Sequence, residues 1–257
     1  MIDALSIASS GLSANQAWID SISNNVANMQ TVGYKRSQIN FQDMVQQVGT
    51  QDASGTTEMM RMSGAGIQVS NQTQVFTPGD VRQTNNPLDV AIQGDGFFEV
   101  ELPNGELGYT RAGRFHVGAD GQLVLSNGQL LTSDIRVPPD AASVQIQSDG
   151  VVKARIANSN EIMTVGQIRL ASFASVEQLQ KLGDVLYRPT TKSGEPIYAE
   201  PGSSGQGTLL QGHVEMSNVN LIDEMTGLVL AQRAYQLNAR LLQASDQILE
   251  TINNLRR

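Results

Sequence analysis

A seven-residue apolar repeat lies at each end of the chain, and it constrains the fold more than any other feature. At the amino end the repeat has two series: Leu5, Leu12, Ile19 and Val26, and then Ala8, Asn15, Ile22 and Met29. At the carboxy end it also has two: Leu221, Leu228, Tyr235, Leu242 and Leu249, and then Ala234, Leu241, Ile248 and Leu255. A repeat of seven is typical of helices that pack along other helices.

These repeats predict a first helix of about 27 residues and a last helix of about 35 residues. The last helix is expected to begin in the stretch SNVNLIDE, where Asn218 or Asn220 is a suitable N-cap. Such helices have only each other, or other chains, to cover their apolar faces.

The centre of the chain carries turn signals instead of helical repeats. Four Asn-Gly or Asp-Gly pairs recur between short runs of β-forming residues: Asn104-Gly105, Asp120-Gly121, Asn127-Gly128 and Asp149-Gly150. These pairs allow the positive φ that tight hairpins need. We therefore predict an antiparallel β domain between the two helices.

The predicted fold class is α+β, with long terminal α-helices forming a coiled-coil-like inner layer and an antiparallel β domain inserted between them. We expect four segments: an N-terminal helix over 1–34, an extended arm or hairpin over 35–84, the β domain over 85–205, and a return segment with the C-terminal helix over 206–257. Within the second segment, residues 49–70 are rich in Gly, Ser, Thr, Gln and Met, which is typical of an extended or flexible arm.

Composition excludes several functions. The formal net charge is −8, and the only basic clusters are the pairs Lys35-Arg36 and Arg256-Arg257, so we predict no nucleic-acid binding. The absence of cysteine excludes disulfides, thiolate zinc sites and a cysteine nucleophile. The amino terminus has no basic region followed by an apolar run, so we expect no cleaved signal peptide.

No pattern in the sequence supports catalysis, a cofactor or a metal site. His116 and His213 lie far apart, and neither has a partner at metal-ligand spacing. The stretch GDGFF, 94–98, lacks the lysine of a phosphate-binding loop, so a turn entering a buried aromatic strand explains it better. Glu99 and Glu101 alternate as on the solvated face of a strand. We therefore predict that the chain is not an enzyme.

Four separated stretches resemble the bacterial flagellar rod and hook family. The first is SNNVANMQTVGYKR, whose signature falls on Asn24, Asn25, Ala27, Asn28, Gly33, Tyr34, Lys35 and Arg36. The others are TNNPLDVAIQGDGFFEV, YTRAGRFHVGADGQLV, and the stretch from EMSNVNL to the last helix with its Gln232, Arg233, Ala234, Tyr235 run. They occur in the family's order over nearly the whole chain. Length and the run QGHVEMSNVNL favour a subunit of the distal rod over a proximal rod subunit or the longer hook protein.

The resemblance implies a structural subunit that assembles with its own copies into a hollow helical tube. It implies rod subunits below, hook protein above, surrounding P and L rings, and export by the flagellar type III apparatus into the basal body across the periplasm. We also expect both terminal helices to be largely disordered before assembly and to fold on joining, because their two long apolar seams have too few partners in a single subunit. One departure is that the segment 48–63, expected to stiffen the rod, is shorter than usual for distal rod subunits.

The amides of the signature stretch have two open interpretations. Asn15, Asn24, Asn25 and Asn28 can fix the register between packed chains, because each buried amide demands partners; the last three can equally mark the end of a helix. We expect the helix to stop at Gly33 and Tyr34 to pack on the β domain. Lys35 and Arg36 are expected to meet acidic residues of a neighbouring subunit, Asp223 or Glu224.

The sequence leaves two other functional classes open. One is a secreted adhesin or carbohydrate-binding β domain with coiled-coil ends, and the other is an envelope hydrolase acting on peptidoglycan. The second lacks any catalytic pair in the sequence.

Overall fold

The computed structural model describes residues 2–48, 61–133, 135–157, 162–203 and 205–255. These residues form two compact units. The helical unit comprises 1–27, 37–73 and 220–257, and the β unit comprises 28–36 and 74–219. Most of the segment 48–63, for which the sequence predicts a shortened arm, lies outside the described residues.

The helical unit contains both terminal helices. Helix α1 spans Ile2–Ala27 and helix α2 spans Leu221–Leu255, with 26 and 35 residues. The two helices pack antiparallel to each other, because Gly11 faces Asn238 whereas Gly227, near the start of α2, faces Ile22. The prediction of two long terminal helices is confirmed.

Strands β1, Ser37–Val48, and β2, Arg61–Gln74, pair with each other in the same unit. The ring of Trp18 meets that of Phe41 edge-on, with centroids 6.2 Å apart, so α1 also contacts β1. None of the helices described here is both long and apolar enough to cross a membrane.

The ends of the helices differ in part from the expectation. Helix α1 ends at Ala27, so the prediction that it continues to Gly33 is wrong, and Met29 lies beyond the helix. The reason is local: Thr31 N donates to Asn28 O at 3.0 Å, which closes a turn in place of the next helical bond. At the start of α2, Asn220 Oδ1 accepts from Ile222 N at 3.0 Å, so Asn220 is the N-cap.

Within its described residues, the β unit contains sixteen short strands, all paired antiparallel. They are β3 Val81–Gln83, β4 Val90–Gln93, β5 Phe98–Glu101, β6 Leu107–Thr110, β7 Phe115–Val117, β8 Leu123–Leu125, β9 Leu130–Leu131, β10 Ala141–Ile146, β11 Val151–Ile156, β12 Ile162–Gln167, β13 Leu170–Ser172, β14 Gln180–Gly183, β15 Leu186–Arg188, β16 Ile197–Ala199, β17 Thr208–Gln211 and β18 His213–Glu215. A 3-10 turn, Val176–Gln178, lies between β13 and β14.

The largest sheet of the β unit has seven strands in the order β14-β15-β6-β5-β9-β8-β7. A second sheet has the order β10-β11-β12, and three two-stranded ladders pair β4 with β17, β3 with β18, and β13 with β16. The mixed α and antiparallel β class predicted from the sequence is therefore confirmed.

The four predicted Gly turns all join paired neighbouring strands. Each glycine has a positive φ, between 76° and 89°. In the first, Gly105 N donates to Leu102 O at 2.8 Å, which is a type I turn followed by a glycine in the left-handed region. The glycine of each pair, and not the residue before it, supplies the positive φ.

Two hydrophobic clusters form the core of the β unit. The larger is aliphatic with two phenylalanines, and it includes Val90, Phe98, Val100, Phe115 and Leu170. The smaller is aromatic and consists mainly of Phe97, Tyr109, Phe173 and Tyr187, with Phe76 packed against it. The turn at 94–96 places Phe97 in the smaller cluster and Phe98 in the larger. It connects β4 and β5, which belong to different sheets.

Candidate assembly interface

Asn25 forms hydrogen bonds that connect the end of α1 to two other segments of the helical unit, the start of β1 and the first turn of α2. It is 1% exposed, and its Nδ2 donates to Ser37 O at 2.8 Å and to Glu224 Oε2 at 3.3 Å. Its Oδ1 accepts from Ser37 N at 2.9 Å. The side chain therefore acts as a backbone partner for the strand that follows the signature and as a partner for the first turn of α2. This within-chain role is neither of the two roles that the sequence left open.

The predicted seam of α1 is partly covered within one chain. Ala8 and Ile22 are buried, and the other helical members of the two series are half-buried: Leu5, Leu12, Asn15, Ile19 and Val26. Of the signature residues near the helix end, Asn24 and Ala27 are exposed, whereas Asn28 and Met29 are half-buried in the turn.

Helix α2 presents apolar residues on more than one side. Ala231 is fully buried against the unit and Leu228 is half-buried, so this side faces α1. A second side carries Leu230, Leu237, Leu241 and Ile248, which are between 51% and 60% exposed. Their spacings of seven, four and seven place them on one helical face. We call these four residues the α2 stripe.

The predicted interface residues of α2 are divided between these sides. Leu241 and Ile248 belong to the stripe. Ala234 and Leu242 are half-buried, as is Leu228. The remaining members of the predicted set are exposed at the edges or on the polar side: Leu221, Gln232, Arg233, Tyr235 and Leu249.

The sequence reasoning missed a further apolar group at the start of α2. Ile222, Met225 and Val229 are 75%, 57% and 50% exposed, and their spacings of three and four place them on one face. It also missed Leu230 and Leu237. All five stand outside the strict seven-residue series, and a scan for any exposed helical face, rather than for a single seam, is the signal that finds them.

In the β unit, the second half of the signature is buried. Gly33 has a φ of 72°, and a Cβ at this position would lie 2.5 Å from the backbone nitrogen of Ala112, so only glycine fits. Tyr34 is 2% exposed, and Lys181 Nζ lies 4.6 Å from the centroid of its ring. The expectation that Tyr34 packs on the β domain is confirmed.

Lys35 forms a buried ion pair within its own chain. It is 0% exposed, and its Nζ donates to Glu215 Oε1 at 2.6 Å and to Thr77 O at 2.7 Å. The prediction that Lys35 meets Asp223 or Glu224 of a neighbouring subunit is therefore wrong. An unpaired lysine would be too costly to bury, and the acidic partner comes from strand β18.

Glu215 is the centre of this buried cluster. Its Oε2 accepts from Arg111 Nε at 2.9 Å, and its Oε1 also accepts from Gly79 N at 3.0 Å. Arg111 in turn donates through Nη1 to the carbonyls of Gly94 and Gly96, at 2.9 and 2.6 Å. One carboxylate is thus shared by two buried cations, and backbone carbonyls accept further hydrogen bonds from Lys35 Nζ and Arg111 Nη1.

The electrostatics of the cluster favour a charged Glu215. Burial alone would raise its pKa, but the charges of Arg111 and Lys35 outweigh burial and hold the pKa of Glu215 below its ordinary value of 4.5. Burial lowers the pKa of Lys35 below its ordinary value of 10.5, and the charge of Glu215 opposes that shift.

The four family-like stretches of the sequence meet at this cluster. Lys35 comes from the first, Gly94 and Gly96 from the second, Arg111 from the third and Glu215 from the fourth. The sequence reasoning missed Arg111 and Glu215. Their signal was a single charged residue in an otherwise uncharged run, in YTRAG and GHVEM.

Asn218 forms hydrogen bonds that hold the backbone at the end of the signature within the β unit. Its Oδ1 accepts from Arg36 N at 2.7 Å, and its Nδ2 donates to Val75 O at 2.8 Å. Val75 N donates to Arg36 O at 2.8 Å, which completes a ring of bonds around the backbone of Arg36. Asn218 is therefore used in the β unit, which explains why Asn220 caps α2.

Three family models match the chain. Residues 5–35 match the flagella basal body rod protein family, residues 91–154 match the D1 domain of the flagellar hook proteins FlgE/F/G, and residues 210–255 match the C-terminal domain of the flagellar basal body rod FlgEFG proteins. Lys35, Gly94, Gly96, Arg111 and Glu215 all lie within the matched ranges.

Relatives match over the full length. The flagellar basal-body rod proteins FlgG of Buchnera aphidicola subsp. Schizaphis graminum and of Caulobacter vibrioides are each 38% identical to the chain, over 99% of it and 100% of the relative. The flagellar basal-body rod protein FlgF of Mesorhizobium japonicum is 33% identical over 99% of both chains. The chain therefore belongs to the flagellar basal-body rod protein family, in which its stronger full-length similarity is to FlgG, the distal rod protein.

Proposed function

We propose that the chain assembles with its own copies into a hollow helical tube, the drive-shaft that transmits torque from motor to hook and lets export substrates pass. The observation that carries this proposal is the α2 stripe. Four large apolar side chains remain more than half exposed after α1 and α2 have packed together. Burying one leucine contributes about 1.5–3 kcal/mol, so a face of four strongly favours contact with other copies.

We infer further that the paired terminal helices form a coiled-coil-like inner layer of the tube wall. The half-buried seam of α1, including Asn15, and the edges of α2 at Leu221, Tyr235 and Leu249 supply the remaining contacts. Asn15 serves to fix the register in this layer, because an amide in an apolar seam tolerates few alignments.

The partners of the chain in this proposal follow from membership of the rod family. They are other rod subunits below, hook protein above, the surrounding P and L rings, and the flagellar type III apparatus that exports the chain. The tube spans the periplasm as part of the basal body. A proximal rod position is the alternative, and the FlgF relative supports it less strongly than the FlgG relatives support a distal position.

A polymerisation assay on full-length variants tests the proposal. Leu237→Asp places a charge in the α2 stripe and is expected to raise the concentration needed for assembly by at least about tenfold, the equivalent of 1.4 kcal/mol per contact. Gln236→Asp is the matched control, because it adds the same charge one position away on another exposed side of the helix.

Assembly is followed by sedimentation and electron microscopy, and helix content by circular dichroism. Equal assembly of the two variants, with equal helix content, would contradict a role for the stripe.

A further inference from the structure

The two antiparallel helices α1 and α2 pair in a constant register, which leaves one end of α2 without a partner helix. Three contacting pairs define this register, and the two residue numbers of each pair add to 249: Gly11 with Asn238, Ile22 with Gly227, and Asn25 with Glu224. The same register places Ile2, where α1 begins, opposite Gln247 of α2. Helix α2 continues to Leu255 and therefore extends past α1.

Burial along α2 changes at the same place. On the side that faces α1, Ala231 is fully buried and Leu242 is half-buried, whereas Leu249, seven residues further on, is 39% exposed. From Asp246 to the end of α2, every residue whose side chain the structure describes is exposed. Residues 248–255 thus form an extension of about two turns, roughly 12 Å long, which we call the α2 overhang.

The opposite end of α2 carries an exposed apolar group of matching length. Ile222, Met225 and Val229, which we call the α2-start group, are 75%, 57% and 50% exposed. They extend over eight residues, as does the overhang. Their spacing of three and four does not include Leu230, the first residue of the α2 stripe, so the α2-start group and the stripe are separate surfaces.

We propose that the α2 overhang of one copy docks on the α2-start group of the next copy, so that the helical units join head to tail. This inference rests on the proposed function, because it supplies a contact between successive copies of the tube in addition to the α2 stripe. The two surfaces lie at opposite ends of one helix, so their contact is heterologous and leaves a free end for a further copy. An overhang that paired with another overhang would give a closed dimer instead.

Formal charge favours the same pairing. In the sequence, residues 248–257 contain one acid, Glu250, and two arginines, Arg256 and Arg257, whereas α2 begins with Asp223 and Glu224. The two ends of α2 therefore have opposite net charge. Like charges would meet if either end paired with its own kind, and opposite charges meet in the head-to-tail arrangement.

Disulfide crosslinking of the full-length chain, which has no cysteine of its own, tests the proposal. Met225→Cys and Leu249→Cys are combined in one variant, which is assembled under reducing conditions and then oxidised. The two positions are about 36 Å apart on one helix, and a disulfide needs Cα atoms about 4–7 Å apart, so any bond between them joins two copies. The expected product on non-reducing electrophoresis is a ladder of dimers, trimers and larger species, with position 225 linked to 249 in mass spectrometry.

The matched control combines Gln236→Cys with Leu249→Cys. Gln236 is exposed on the same side of α2 as Met225 but lies three turns further along, so this variant should give no ladder. A second readout tolerates a weakened contact: copies with Met225→Cys alone and copies with Leu249→Cys alone, assembled together with an excess of wild type, should give only the mixed dimer.

Three results would overturn the inference: assembled protein without a bond between 225 and 249 in either readout, an equal ladder from the Gln236→Cys control, or dimers from Leu249→Cys alone at the level of the double variant, which would show that overhangs pair with each other. Failure of the wild-type chain to assemble is a different result, and it would overturn the proposed function itself.

Discussion

Lys35 Nζ lies 2.6 Å from Glu215 Oε1, which joins the signature after the first helix to the last strand before the second. Both side chains are at most 1% exposed. Because the two residues are 180 positions apart in sequence, one ion pair connects the two ends of the β unit. Arg111 and the carbonyls of Gly94 and Gly96 complete the cluster.

Removing the central carboxylate should be strongly destabilising. Glu215→Gln leaves Lys35 and Arg111 buried without their counter-charge, and we expect a loss of about 3–5 kcal/mol in the free energy of unfolding. Urea unfolding followed by tyrosine fluorescence measures it. The matched control is Glu106→Gln, which breaks the exposed pair with Arg188 at 3.3 Å and should cost less than about 1 kcal/mol. Similar losses in the two variants would contradict the cluster's importance.

The same carboxylate should make stability depend on acid pH. The folded pKa of Glu215 is below its ordinary value of 4.5, so the unfolded chain takes up the proton first as the pH falls. The contribution of the charged Glu215 to the free energy of unfolding is fully present near neutral pH and is lost progressively as the pH falls below 4.5. Urea unfolding at several pH values should therefore show the stability gap between wild type and Glu215→Gln narrowing below pH 4.5. A stability difference between the two proteins that widens below pH 4.5 would contradict a lowered pKa of Glu215 in the folded chain.

Adding a side chain at Gly33 should destabilise the fold strongly, whereas adding one at a glycine of similar φ with open space around it should cost much less. Gly33→Ala places a Cβ 2.5 Å from Ala112 N and should cost several times the roughly 1–2 kcal/mol of a left-handed alanine. Gly105→Ala is the control, because Gly105 has a φ of 78° and nothing within 4 Å of the added Cβ. Thermal unfolding of both variants compares them; equal shifts in Tm would refute the close approach.

Limited proteolysis of the unassembled chain should remove the two terminal helices. We expect cleavage before Asn28 and after Val219, because the bonds of Lys35 and Asn218 hold the intervening ends within the β unit. Mass spectrometry of the fragments locates the cuts. An undigested chain with both terminal helices intact would contradict the expectation that these helices are largely disordered before assembly.

The sequence predicted the elements well because their signals are local. The seven-residue repeats gave α1 and α2, and the four Gly turns gave the hairpins, since each depends only on neighbouring residues. The predicted end of α1 at Gly33 is too late, because the turn closed by Asn28 and Thr31 competes with a repeat that continues to Met29. Of the arm expected over 49–70, residues 49–60 lie outside the described residues, and 61–70 belong to strand β2.

The buried cluster could not be predicted, because pairing of Lys35 with Glu215 depends on the closure of the whole β unit. From the local sequence, acidic partners for Lys35 can be sought only nearby in the chain or, as the prediction had it, on a neighbouring subunit. The sequence also could not predict which side of α2 faces α1 and which forms the exposed stripe, since both sides carry leucines at helical spacing. Only the packed helix pair distinguishes them.

The most direct test of the account measures whether assembly covers the α2 stripe. The chain has no cysteine, so Ile248→Cys and Gln243→Cys each introduce a unique thiol, the first in the stripe and the second on the opposite exposed side of α2. Maleimide labelling is timed on dispersed and on assembled protein. The account predicts that assembly slows labelling at 248 by at least about tenfold more than at 243. Equal labelling rates at 248 before and after assembly would contradict it.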